Sequence, residues 1–144
     1  MDVSELRKGI LRALDAARKD TLTRRQIRDD ASAAFATFVE RVATPLMRQA
    51  AAVLKAEKHD VTVETPGASV RLVVDRSPQD FIEIELDTNA ASPMVIGRTS
   101  LARGRRSVVV EERPIAPGKS ISQVTEDDLA TFLLSEIQRL VSRP

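Results

Sequence analysis

Apolar side chains recur every three or four residues through the first 58 positions and every second residue beyond position 60, so the chain changes from a helical to an extended period at His59-Asp60. Between Ser4 and Lys19, Leu6, Ile10, Leu14 and Ala17 line one helical stripe, with Leu11 beside it. Asp2 stands three residues before Glu5, the spacing of a helix cap. Asp20-Thr21-Leu22 predicts a break, because Thr23 and Gln26 then have the reciprocal capping spacing that opens a second helix. The stripe of that alanine-rich helix is Ile27, Ala31, Ala34, Phe38 and Val42, widened by Phe35 and Val39. Pro45 removes a backbone donor and crowds the preceding turn, so the helix is expected either to kink there or to restart with Thr44 as its cap. Leu46, Met47, Ala50, Val53 and Leu54 carry an apolar face onward to Lys58.

Nine of the twelve glycines and prolines fall between residues 60 and 120, and turn chemistry dominates that half. Val61 and Val63 alternate with Thr62 and Glu64, Thr65-Pro66-Gly67-Ala68 suits a type II turn, and Val70, Leu72 and Val74 resume the alternation, which predicts a hairpin. After a turn over Asp75–Gln79, Phe81–Asp87 places Ile82, Ile84 and Leu86 on one face and Glu83, Glu85 and Asp87 on the other, a strand with one dry and one wet side. Met94–Leu101 reads as a fourth strand with Gly97 at a plausible bulge position. Gly104 centres the next turn, and Ser107–Glu112, with Val108, Val109 and Val110, supplies a fifth strand stopped by Pro114 and Pro117. Thr125 then caps a closing amphipathic helix, with Glu126, Asp127 and Asp128 in its first turn and Leu129, Phe132, Leu133, Ile137 and Leu140 on its apolar face.

The expected architecture is α+β in a single domain over 1–144. It has a helical arm over 1–58, an antiparallel meander of four or five strands over 60–113, and a helix over 125–142 packed on one sheet face. Helices that precede and follow an uninterrupted meander should share one face and leave the acidic face wet. At 144 residues such a fold buries roughly 68–70% of its unfolded surface and needs no staple. None is available, since the chain has no cysteine, which also removes thiol nucleophiles and thiolate metal sites. The acidic start and the lack of any apolar run near ~20 residues lead us to expect a cytoplasmic protein without a membrane role.

Net charge is +1, but it is unevenly laid out: residues 60–90 hold two arginines against seven acids, and residues 91–119 six bases against two acids. If the third and fourth strands pair with residue numbers summing to 181, Glu83 faces Arg98 and the two blocks neutralise each other. The rival reading of Glu83, Glu85 and Asp87 is a metal site, since carboxylates about 7 Å apart along a strand can ligate hard cations. With Asp75 or Asp80 assisting, that would make a metal-dependent hydrolase. Arg98, Arg103, Arg105 and Arg106 around Gly104 could clamp phosphates as an arginine-rich hairpin, the basis for an architectural nucleic-acid binder. Against it stand the absence of Trp and Tyr and the near-zero net charge. Arg18, Lys19, Arg24, Arg25 and Arg28 are interleaved with Asp15, Asp20, Asp29 and Asp30, as on an exposed helix face.

His59 is the only histidine, so no common zinc set can form, and neither a Walker loop nor a dinucleotide fingerprint is present. The sequence therefore implies no cofactor and no catalytic group. It points to a non-catalytic protein–protein interaction module, homodimeric through the stripe between Ile27 and Val42. The partner-binding candidates there are Phe35, Phe38, Val39 and Val42, because this stripe is wider than one small sheet can cover.

Overall fold

A computed structural model of the chain describes residues 2–89, 92–104 and 107–142. Asp2 caps the first helix, α1 (Val3–Phe38), by accepting the Glu5 N–H at 2.8 Å. The expected break at Asp20-Thr21-Leu22 does not occur. Thr21 and Thr23 turn their hydroxyls back onto the carbonyls of Ala17 and Lys19, so Thr23 is a mid-helix residue rather than a cap. Neither Gly nor Pro interrupts the ladder there, and 36 residues form one helix about 54 Å long.

Pro45 acts one turn before its own position. A π turn, Val39–Ala43, separates α1 from α2 (Thr44–Ala56), and the Thr44 N–H reaches back to the Val39 carbonyl. Widening the turn accommodates a proline that has no N–H to offer the ladder. It also changes which residues face inward. A regular continuation of Ala31, Phe35 and Phe38 would bury positions near 42, 45 and 49, whereas the buried set is Ala43, Thr44, Met47, Ala51 and Leu54. Val53 is consequently 65% exposed despite its place in the apolar pattern.

Five antiparallel strands follow as a simple meander in the order β1 (Val61–Glu64), β2 (Val70–Val74), β3 (Ser77–Asp87), β4 (Met94–Arg103) and β5 (Ser107–Pro114). The turn before β2 closes through Ser69 N–H to the Pro66 carbonyl, one residue later than the expected type II turn, with Gly67 at φ +61°. Asp75-Arg76 makes a tight β2–β3 turn, so β3 starts earlier than expected and includes Pro78. Among the described residues the one register shift lies at Val73/Val74 and not at Gly97, whose strand pairs continuously on both sides.

Val61, Val70, Leu72, Ile82, Ile84, Val95 and Leu101 face the helices and are buried. The closing helix α3 (Glu126–Val141) packs on this same face across β3 and β4, and α2 covers β1 and β2. Thr125 caps α3 reciprocally with Asp128, and Val124 and Leu129 are buried together as its staple. Gly97 is explained by this packing: a Cβ there would overlap the Phe132 ring, so the helix sits where the strand has no side chain. Among the described residues no helix is long and apolar enough to cross a membrane.

Candidate functional site

The open face of the sheet carries one continuous row of charge. Opposed residues of successive strands are Glu64, Arg71, Glu83, Arg98 and Glu112, so the sign alternates across all five strands. Glu83 is the hub. Its Oε2 accepts from Arg98 Nη2 at 2.5 Å and from Arg71 Nη2 at 3.1 Å, and the residue is only 3% exposed. Arg98 also reaches Glu85 at 3.4 Å and Glu112 at 3.9 Å, and the Arg71 guanidinium lies 4.0 Å from the centre of the Phe81 ring. The acidic face is therefore not wet at its centre: two arginine side chains lie over Glu83 and exclude water from it.

Burial pushes the Glu85 carboxyl up from its ordinary value, with Arg98 opposing the shift and Glu83 adding to it. The hydrogen bond to Glu83 holds Arg98 more firmly protonated. The Nε groups of Arg71 and Arg98 are buried with no hydrogen-bond partner among the described residues, although Nη2 of each donates to Glu83 Oε2.

Glu83, Glu85 and Asp87 do share a face, yet they do not converge. Glu83 is bound to arginines, and Asp80 lies on the opposite face, accepting the Ala102 N–H at 2.6 Å. Asp75 accepts from Thr62 Oγ1 at 2.6 Å. Among the described residues no group of three His, Cys, Asp or Glu side chains is placed to hold a metal ion. Of the basic hairpin, Arg98 belongs to the charge row, Arg103 is exposed at the end of β4, and Arg105 and Arg106 lie outside the described residues.

The helix stripe expected to form a dimer seam is used within the chain. Phe35 and Phe38 are buried in the core, 1% and 6% exposed, and Val39 and Val42 pack against it half-buried. The missing cover came from residues far along the chain, which the helix pattern could not reveal. Besides Glu83 and Asp80, a further buried carboxylate carries no mark in the charge pattern. Glu136 stands in the inward stripe of α3, where it takes Thr99 Oγ1 at 3.0 Å, Arg139 at 3.1 Å and Arg113 at 3.2 Å. Its spacing from Leu129, Phe132, Leu133 and Leu140 was the available signal.

What remains open is the distal part of α1. Every residue from Asp2 to Asp30 is exposed, and the first buried position is Ala31. Leu6, Ile10 and Leu14 are each about half exposed, 51%, 50% and 47%, on one side of this projecting helix. Residues 7–28 carry eight bases against two acids. At the base of the projection lies a cavity of ≈ 620 Å³ whose lining includes Ile27, Ala31, Ala34, Met94, Pro114 and Ile121. Set against protein-family models, curated proteins and solved structures, the chain matches none of them.

Proposed function

We propose that this chain is a non-catalytic protein-interaction module: a folded base of sheet and helices that projects a basic, apolar-striped helix for docking on an acidic surface of another protein. The exposure of residues 2–30 carries this reading. Helices in proteins draw most of their stability from burying one face, and an isolated helix is marginal in water. A projection of nearly thirty residues with leucines and an isoleucine along one side gains that burial only from outside the chain. The helix-in-groove mode, with anchors at positions such as Leu6, Ile10 and Leu14, fits this spacing.

Charge decides the kind of partner. Residues 2–30 carry eight bases against six acids, but the acids gather at the two ends, and the eight bases against two acids over residues 7–28 make the middle of the projection disfavour self-pairing and favour an acidic groove. An anionic membrane is disfavoured because residues 2–30 contain no Trp, Tyr or Phe to anchor in a lipid interface. Nucleic acid is the second reading, supported by the same excess of bases and by Arg103. The hydrolase reading has least support, since Glu83 is held by two arginines.

Lys8 and Lys19 give the test its handles. Cross-linking through them in cells should join the chain to acidic segments of a protein, and Leu6→Glu, Ile10→Glu and Leu14→Glu together should abolish the cross-links. Retention that is lost on nuclease treatment, or binding to anionic vesicles without any protein cross-link, would reject the reading.

A further inference from the structure

The two edges of the sheet are unlike. β1 is four residues long, is followed closely by Pro66 and is covered on one face by α2, whereas β5 spans eight residues. Natural edges are blunted by shortness, proline, lysine or bulges. β5 is neither short nor bulged, and its charges, another such device, are confined to Glu111, Glu112 and Arg113, so the half from Ser107 to Val110 is unguarded: its pairing with β4 is regular, and Val108, Val109 and Val110 are 45%, 39% and 52% exposed.

The parity of its free backbone can be read from one hydrogen bond. Ile115 N–H donates to the Val95 carbonyl at 3.1 Å, in the same register that sets Ile96 opposite Pro114. Odd-numbered residues of β5 therefore turn their N–H and C=O towards β4, and Val108, Val110 and Glu112 turn theirs outward. An outward row of donors and acceptors flanked by three β-branched residues is a template for another strand.

We propose that two copies of this chain pair β5 to β5, antiparallel, about a two-fold axis perpendicular to the sheet and passing through Val109, so that both sheets join as one. In that register Val108 lies opposite Val110 of the partner subunit and exchanges hydrogen bonds with it, Val109 meets Val109 of the partner subunit, and Ser107 meets Glu111 of the partner subunit. Only this register sets all three valines against valines, since centring on Val108 would set Val109 against Ser107. Centring on Val110 would set Val108 against a carboxylate, and centring on Glu111 would oppose two like charges, which is destabilising. The second copy is favoured over an unrelated strand because Val108 and Val110 are related by reading the segment backwards, as an isologous interface requires. This inference goes beyond docking by the projecting helix and does not depend on it.

The chain's lack of cysteine makes the register directly testable. The full chain should run in light scattering at twice its 15.8 kDa mass. Val110→Pro removes an outward N–H while sparing the β4 ladder, and should give a monomer with an unchanged circular-dichroism spectrum. Val109→Cys should form an intermolecular disulfide under mild oxidation, because non-hydrogen-bonded cross-strand positions approach closest, whereas Val110→Cys, which meets position 108 of the other copy, should not. A wild-type monomer at all concentrations, a dimer that survives Val110→Pro, or equal cross-linking at both positions would each overturn the proposal. If Val110→Pro fails to fold, the two cysteine variants decide alone.

Discussion

Glu83 shows how one residue can be read correctly in sequence and still be misjudged in setting. The alternation placed it on the face away from the core, and it lies there, but two arginines cover it. Removing Arg98 leaves a buried carboxylate with only Arg71 as partner, so Arg98→Ala should cost about 2–3 kcal/mol, read from urea titration. Replacing Glu83 and Arg98 together by leucine should cost less than the sum of the single changes, since neither is left facing a missing partner, and the residual cost falls on Arg71, which loses Glu83. Glu85 makes a pH prediction of definite sign. Its folded value is raised above 4.5, so the fold disfavours the ionised form and loses stability as pH rises through the range just above that value. Glu85→Gln should therefore melt above wild type near neutrality, with the difference vanishing below about pH 4.5.

Among the elements, α3 and β4 are fitted to each other by a large residue over an absent side chain. Gly97→Ala should destabilise the protein by about 1–3 kcal/mol through the clash with Phe132, and the penalty should shrink in a Phe132→Ala background. A Gly97 that instead mattered for a bulge would show no such coupling. Glu136, one turn further along the same inward face, fastens this helix to the sheet through Thr99 and Arg113. The π turn before Pro45 likewise links two elements: it rotates α2 relative to α1, bringing Met47 and Leu54 inward while Val53 faces water.

For the molecule as a whole, the division between projection and base sets where stability resides. Residues 2–30 bury no side chain, so their removal up to Leu22 should shift the urea midpoint by no more than the equivalent of about 0.5 kcal/mol. Amides of that segment should exchange with solvent well before those of β3 and β4 in the isolated protein. A large loss of stability on truncation would show that the projection folds back on the base. Joined through β5, two copies would present two basic helices at once, and an acidic partner with repeated sites would then bind with avidity beyond either single contact.

Much of the architecture follows from local periodicity alone. The period-two run from Phe81 to Asp87, the Thr125 cap and the turn glycines specified the meander and its closing helix, and turn lengths with parity brought Glu83 opposite Arg98. Side-chain direction along a strand or helix is a local property, which is why it was legible. What covers a face is not local. Whether Phe35 and Phe38 meet a second copy or the chain's own core, and whether Gly97 kinks a strand or receives a ring, depend on residues dozens of positions away. Those outcomes were set only when the helices and the sheet closed on one another, because burial is a property of the packed chain and not of any segment within it.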